Sequence, residues 1–375
     1  MTRLMNFNAG PAALPLAALE RAQAELLELG TSGMSVMEHS HRGKEYEAVH
    51  NEAISLVKSL LQVPDDYDIL LQQGGASTQF AVVAMNLIQA GSQAQYILTG
   101  AWGEKAFGEA KHSAGLLGGS ATVALTTGLG DGKEKSYTRV PKADEVKVAD
   151  NAAYVHLTSN ETINGVQFGI TETSDFPRTT APLVADMSSD FMWRPFDISQ
   201  FGLIYAGAQK NIGPSGLAVV IVKKDLVANA RKDIPKIFQY RIHAENNSLY
   251  NTPPTFGVYM MRNVLSWLKD SGGLYEAETR NRKKAAKVYA AIDGAAGFYK
   301  CPVDVDSRSV MNIVFRLPTE ELENAFVAEA KKAGMVGLKG HRSVGGIRAS
   351  TYNAVEPVWV DSLAGFMGDF AKANG

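Results

Sequence analysis

The chain has 375 residues, with 37 basic side chains against 39 acidic ones and a single cysteine. That length accommodates two domains, and the near balance of charge excludes a broad electrostatic footprint for nucleic acid or an anionic membrane. The lone Cys301 excludes an intrachain disulfide and fits a reducing, cytoplasmic setting. Any anion-binding function must therefore come from a local cluster of Arg and His.

In chain order, residues 1–15 lack a continuous apolar stretch and read as an N-terminal arm of mature protein rather than a targeting segment. Apolar spacing predicts helices over Leu16–Leu29 and Glu47–Leu61, then a strand over Asp68–Gln73. Gly74-Gly75-Ala76-Ser77-Thr78 follows, leading into a helical run to Ile88. Further strands are expected at Gln95–Thr99, Tyr154–Ser159, Leu183–Asp186, Leu203–Ala206 and Leu217–Val222. The last of these is far too short to span a bilayer and reads as a buried strand. Helices are expected over Thr255–Leu268 and Tyr275–Ile292, a strand over Val310–Arg316, a helix over Glu320–Ala333, a strand over Gly346–Ser350 and a helix over Val358–Ala373. Alternation of this kind predicts an α/β fold with a mostly parallel central sheet flanked by helices. A boundary near residue 265 divides a large domain, 16–265, from a smaller C-terminal α/β domain, 266–375.

Several residues carry chemistry. In Tyr205–Gly216, Lys210 directly follows an apolar strand, sits among small residues and precedes a Gly-Pro-Ser-Gly turn. A lysine so placed can condense with an aldehyde cofactor; a lysine snorkelling from a strand end reads the same way in isolation. Asp186 ends another apolar strand, where a carboxylate can partner a protonated pyridine nitrogen or simply cap a turn. Together the two are more specific, since both would emerge at the carboxyl edge of one sheet, where α/β folds bind ligands. The Gly74–Thr78 turn at a helix start offers N–H groups and hydroxyls to an anion, or is a plain turn. Trp102 follows the next strand and can stack on a planar ring, or fill a core. Two clusters are basic: His39, His41 and Arg42 early in the chain, then His341, Arg342 and Arg348 late. Arginine forks match carboxylate and phosphate geometry, although salt bridges and solvated loops also use them. Arg348 interrupts an apolar, strand-like run. No metal site is expected.

Almost end to end, the chain resembles the phosphoserine aminotransferases, class-V aminotransferases of PLP (pyridoxal 5'-phosphate) fold type I. The likeness is carried by Asn6–Ala12, Met34–Arg42, Asn160–Gly165, Tyr205–Gly216, Leu249–Pro254 and Gly337–Ser350. The lysine stretch and the late Gly-His-Arg segment are its specific parts; the Gly-Gly turn is not.

That resemblance implies PLP as cofactor, with Lys210 its Schiff-base lysine and Asp186 the partner of its pyridine nitrogen. It implies Trp102 stacked on the ring, Thr162 beside it, and Ala76, Ser77 and Gln209 on the phosphate. It further implies a homodimer with shared active sites, in which Asn251 and Thr252 reach the phosphate bound by the other subunit. Arg348 would take the substrate α-carboxylate. His41 and Arg42 from the neighbouring subunit, with His341 and Arg342, would face the substrate's distal anion. Some relatives carry Arg where this chain has Ser77, so here the other basic residues must do more. The implied reaction is transamination between L-glutamate and 3-phosphohydroxypyruvate, giving O-phospho-L-serine and 2-oxoglutarate in serine biosynthesis. A phosphorylated hydroxythreonine step of vitamin B6 synthesis is a possible second use. A relative acting on unphosphorylated serine, alanine or glyoxylate would not need two His-Arg pairs, and a non-catalytic PLP-binding protein would not need the Lys210–Asp186 pair.

Overall fold

The computed structural model of the protein describes residues 3–130 and 135–375; the first two residues of the expected arm lie outside them. In chain order the elements are β1 (Met5–Asn6), α1 (Leu16–Ala24), α2 (Lys44–Leu61), β2 (Tyr67–Gln73), α3 (Ala76–Leu87), β3 (Gln93–Leu98), α4 (Ala101–Leu116) and β4 (Ser120–Thr126). Then come β5 (Val155–Thr158), β6 (Asn160–Glu161), β7 (Val166–Gln167), β8 (Leu183–Asp186), β9 (Leu203–Gly207), β10 (Leu217–Lys223), α5 (Lys224–Ala228) and α6 (Tyr240–Glu245). The C-terminal part holds α7 (Thr255–Asp270), α8 (Gly273–Asp293), β11 (Asn312–Phe315), α9 (Glu320–Lys332), β12 (Met335–Val336), β13 (Ile347–Ser350) and α10 (Pro357–Asn374).

The main sheet has seven strands in the order β2-β10-β9-β8-β5-β3-β4. Its pairs are parallel except those of β10, which runs antiparallel to both β2 and β9. The central strands β5, β8 and β9 are buried along their whole length, which is why they read as unbroken apolar runs rather than alternating ones. One face packs Leu71, Leu157, Ala185, Ile204 and Val219 against Val57 of α2 and Met261 and Leu265 of α7. The other packs Tyr96, Val184, Leu203 and Val220 against Phe80 and Val83 of α3 and Ala106 and Ala110 of α4. Burying both faces fixes the strand register, because a one-residue slip would exchange the two faces.

A separate core gathers Val288 and Ile292 of α8 with Ile313, Phe315, Phe326, Ile347, Leu363 and Met367. α8 joins the two cores, since its Leu274 and Ala277 belong to the first. The N-terminal arm is stitched into the second: β1 pairs with β12, and Phe7 is fully buried there.

The expected elements are present, with differences at their ends; those not expected are the helix α4, the edge strand β4 and the short β1, β6, β7, β12, α5 and α6. α1 stops at Ala24 rather than running to Leu29. The chain turns back through Gly30 and Gly33, both with left-handed φ of 60° and 72°, and Leu27 is 85% exposed, so its side chain supports no buried stripe. α4 was not expected, because its buried face is built of Gly103, Ala106, Ala110 and Ala114 rather than large apolar residues. β4 is an edge strand of which Ala121 alone is buried, the rest being half-buried or exposed. The short α6 gave no periodic signal. Among the described residues no helix is long and apolar enough to cross a membrane.

Candidate active site

Five strands of the main sheet deliver candidate residues to its carboxyl edge. After β2 come Gly74 and Gly75, then the first turn of α3; Gly74 has a φ of 101°, which only glycine adopts without strain. Ala76 and Ser77 occupy that first turn, where backbone N–H groups lack intrahelical partners. After β3 comes Trp102 in the first turn of α4. After β5 come Asn160, Glu161 and Thr162 in the tight β6–β7 hairpin. β8 ends on Asp186, and β9 is followed by Gln209 and Lys210.

Most of these residues line one cavity of about 290 Å³. Ala76, Ser77, Trp102, Thr162, Asp186, Gln209 and Lys210 line it from the sheet side. His341 and Arg348 close it from the C-terminal part, and Ala9 and Gly10 of the arm cover it. Gly10 lies against the lysine: a Cβ there would stand 3.4 Å from Lys210 Cγ. The arm is fastened by Ala12 N–H donating to the Gln209 carbonyl at 2.9 Å and by Tyr352 Oη donating to the Ala9 carbonyl at 2.8 Å.

Lys210 Nζ donates to Thr162 Oγ1 at 2.7 Å and stands 5.6 Å from the centre of the Trp102 ring. Burial lowers its pKa to about 8, with Arg348 acting the same way and Asp186, Glu161 and Asp190 acting against it. A fraction of neutral amine is therefore present near neutral pH, as attack on a carbonyl requires. Asp186 is held in place by two donors to its Oδ1, the Ser188 N–H at 2.9 Å and the Ser188 hydroxyl at 2.6 Å. That hydroxyl in turn accepts from Gly207 N–H at 3.0 Å, which ties β8 to β9. Burial pushes the Asp186 carboxyl above the usual range, while Ser188 and Lys210 pull it back. Lys210 and Asp186 thus attract each other while each is hydrogen-bonded elsewhere, Lys210 to Thr162 and Asp186 to Ser188.

Arg348, on β13, donates from Nη1 to the Thr162 carbonyl at 3.1 Å. Among the described residues its Nε has no partner though buried, nor have the buried Trp102 Nε1 and Gln209 Oε1. Unpartnered buried polar atoms around a cavity mark groups awaiting a polar ligand. The cavity accordingly fits the cofactor that the resemblance implies. Its lining combines a helix start with small residues, a flat indole, the Lys210 amine, a buried carboxyl and a guanidinium. The loop bearing His341 and Arg342 is tied down by Arg316 Nη1 donating to the Val344 carbonyl at 2.6 Å and by Gly346 N–H donating to Glu323 at 3.1 Å. His341 is held below its ordinary pKa by burial and by the charges of Arg348, Lys105 and Arg342.

His41, Arg42, Asn251, Thr252 and Arg342 do not line this cavity within the single chain. Arg42, Thr252 and Arg342 are exposed, and His41 and Asn251 half-buried. His39 is buried and bonded to Ser32, which makes it structural. Asn251 instead borders a neighbouring cavity beside Gly74 and Thr78, and donates to Gln73 at 3.2 Å. Residue-by-residue reading missed Glu161, Thr162, Ser188, Ala9 and Gly10; Thr162 came only from the resemblance. Ser188 was legible in principle, as a hydroxyl two residues beyond a strand-end Asp; the arm's position over the lysine was not, because it depends on the β1–β12 pairing.

The class-V aminotransferase family model matches residues 4–363. The chain is 55% identical over 372 residues to a phosphoserine aminotransferase of Geobacillus kaustophilus, covering 99% of each chain. It superposes with a TM-score of 0.93 on the solved phosphoserine aminotransferase from Bacillus circulans subsp. alkalophilus, at 54% identity over 100% of this chain and 99% of that one. A PLP-bound phosphoserine aminotransferase from Trichomonas vaginalis superposes with a TM-score of 0.90 at 39% identity, covering 97% of this chain and 99% of that one.

Proposed function

Because the chain belongs to the class-V aminotransferases, within the phosphoserine aminotransferase family, we propose that it exchanges the amino group of L-glutamate with 3-phosphohydroxypyruvate to give O-phospho-L-serine and 2-oxoglutarate, using PLP held at Lys210. The observation that carries the reading is the convergence of Lys210, Asp186, Trp102 and Arg348 on one cavity at the carboxyl edge of the sheet.

When bound, PLP supplies an aldehyde that condenses with amines and a ring that withdraws electrons from the substrate Cα. Lys210 would hold the aldehyde and would also move the proton at the substrate Cα; its lowered pKa suits a base working near neutrality. Asp186, oriented by Ser188, would keep a proton on the pyridine nitrogen. Ala76 and Ser77 at the start of α3 would take the cofactor phosphate, with Gln209 beside them. Thr162 steadies Lys210 with its hydroxyl and Arg348 with its carbonyl. Arg348 would grip the α-carboxylate shared by both substrates, and its fork would set their orientation. His341 and Arg342 would face the distal anion, which is phosphate in one substrate and carboxylate in the other. Ser77 contributes no charge there.

The same proposal includes a homodimer with shared sites, to which His41, Arg42, Asn251 and Thr252 are supplied across the interface. Exposed apolar side chains precede them in the chain: Leu26, Leu27, Met34 and Met37 before His41 and Arg42, and Phe238 and Tyr250 before Asn251 and Thr252. Exposed apolar surface of this kind is what a protein partner covers. A cytoplasmic location and a division at residue 265 into large and C-terminal domains belong to the proposal as well. An amino-acceptor screen with glutamate as donor tests the function. The reading expects 3-phosphohydroxypyruvate to be strongly preferred over pyruvate, glyoxylate and hydroxypyruvate, and equal use of the plain keto acids would overturn it. Including the phosphorylated keto acid that precedes phosphohydroxythreonine shows whether the pocket also serves the vitamin B6 step.

A further inference from the structure

Glu161 is a fully buried carboxyl beside the cavity that has no part in the chemistry above. Its two oxygens bond to a helix end: one accepts from Trp102 N–H at 2.9 Å and the other from Gly103 N–H at 2.8 Å. Next to them Asn164 Oδ1 accepts from Ala101 N–H at 3.1 Å. The first three N–H groups of α4 are therefore held by side chains of the β6–β7 hairpin, rather than by a capping residue of α4 itself. The fit leaves no room for a side chain at Gly100, where a Cβ would lie 2.3 Å from the Glu161 carboxyl carbon. Burying a carboxylate is costly and pushes the Glu161 carboxyl up to about 7, against which the Gly103 and Trp102 N–H donors at the positive end of the helix favour its charged form.

The same hairpin carries Thr162, which accepts from Lys210 through its hydroxyl and from Arg348 through its carbonyl. The Trp102 indole, the Lys210 amine and the Arg348 guanidinium are thus all referenced to one short turn. We infer that Glu161 is the positioning residue for Trp102: by clamping the first turn of α4 onto the Thr162 hairpin, it sets the attitude of the indole against the cofactor ring. The inference rests on the reading of Trp102 as the stacking residue. It also explains how the cofactor phosphate chooses between two neighbouring helix starts, since Glu161 already occupies that of α4 and leaves that of α3 open.

Glu161→Gln keeps the volume but turns one acceptor into a donor that faces an N–H. Gly100→Ala displaces the carboxyl from the other side while leaving it chemically intact. In holoenzyme, each variant is expected to release the cofactor about tenfold faster, in line with loss of one charge-assisted bond, and to weaken the circular dichroism of the bound cofactor. Made on top of Trp102→Ala, either change should add less than about twofold, because the path through the indole is already gone. Equal effects with and without Trp102 would mean a merely structural role and would overturn the inference. If Trp102→Ala loosens the cofactor while Glu161→Gln and Gly100→Ala behave as wild type, the positioning role falls and the stacking role stands. If Trp102→Ala itself changes nothing, the stacking premise falls and the inference goes with it. Should Glu161→Gln fail to fold, Gly100→Ala decides.

Discussion

The Lys210 amine donates to the Thr162 hydroxyl at 2.7 Å, while the carbonyl of the same threonine accepts from Arg348 at 3.1 Å. One residue on the β6–β7 hairpin thus sets the spacing between the group proposed to move the proton and the group proposed to hold the substrate carboxylate. Thr162→Val removes the acceptor for the amine and keeps the shape. Turnover is expected to fall roughly five- to tenfold, since a hydrogen bond is worth about 1 kcal/mol, and Thr162→Ser should restore most of it. Steady-state kinetics of the two variants check this; equal losses in both would show that the methyl group, not the hydroxyl, matters.

Lys210 also makes a prediction for stability against pH. In the cofactor-free protein its pKa is about 8, below the ordinary value of 10.5. The folded state therefore binds this proton less tightly than the unfolded chain. The resulting penalty is fully present below pH 8 and fades as pH rises from 8 toward 10.5. Relative to wild type, cofactor-free Lys210→Met should be most favoured below pH 8 and lose that advantage across this window. Thermal melts of the two proteins from pH 7 to 10 measure the difference; a gap that widens with pH contradicts the assigned direction.

The distal-anion reading separates two arginines. Arg348→Lys keeps the charge but loses the fork, so both half-reactions should slow by about tenfold or more. Arg342→Ala should raise KM for the phosphorylated substrate several-fold more than for an unphosphorylated analogue. Equal losses for both analogues would remove Arg342 from the phosphate pocket.

Much of this site could be read from the sequence, and the rest could not, for identifiable reasons. Lys210 and Asp186 stood out because each breaks an apolar strand end, and the sheet order places β8 beside β9. Arg348 stood out because a charge interrupts a buried strand. α4 escaped notice because glycine and alanine form its packed face, and with it went the reason for Gly100. Glu161 gave no local signal, since its partners are backbone N–H groups about sixty residues earlier in the chain. Residues that a second subunit would supply leave no trace in a single chain's cavity, so the roles of His41, Arg42, Asn251 and Thr252 rest on the resemblance.

Subunit exchange tests that last group. Inactive Lys210→Ala mixed with inactive Arg42→Ala should regain roughly a quarter of wild-type activity, because about half the dimers are mixed and one of their two sites is intact. Lys210→Ala mixed with Asp186→Asn should regain nothing, both defects lying on the same side of each site. With exchange confirmed by mass, a first mixture that stays inactive would contradict the shared site.

The account turns on Lys210 as the residue that holds the cofactor in the cavity, and borohydride reduction of the holoenzyme followed by peptide mapping addresses it most directly. The expected result is a single fixed cofactor on the peptide containing Tyr205–Gly216, at Lys210, with no label when Lys210 is replaced by alanine. A label on any other lysine, or an unlabelled protein that still transaminates glutamate with 3-phosphohydroxypyruvate, would contradict it.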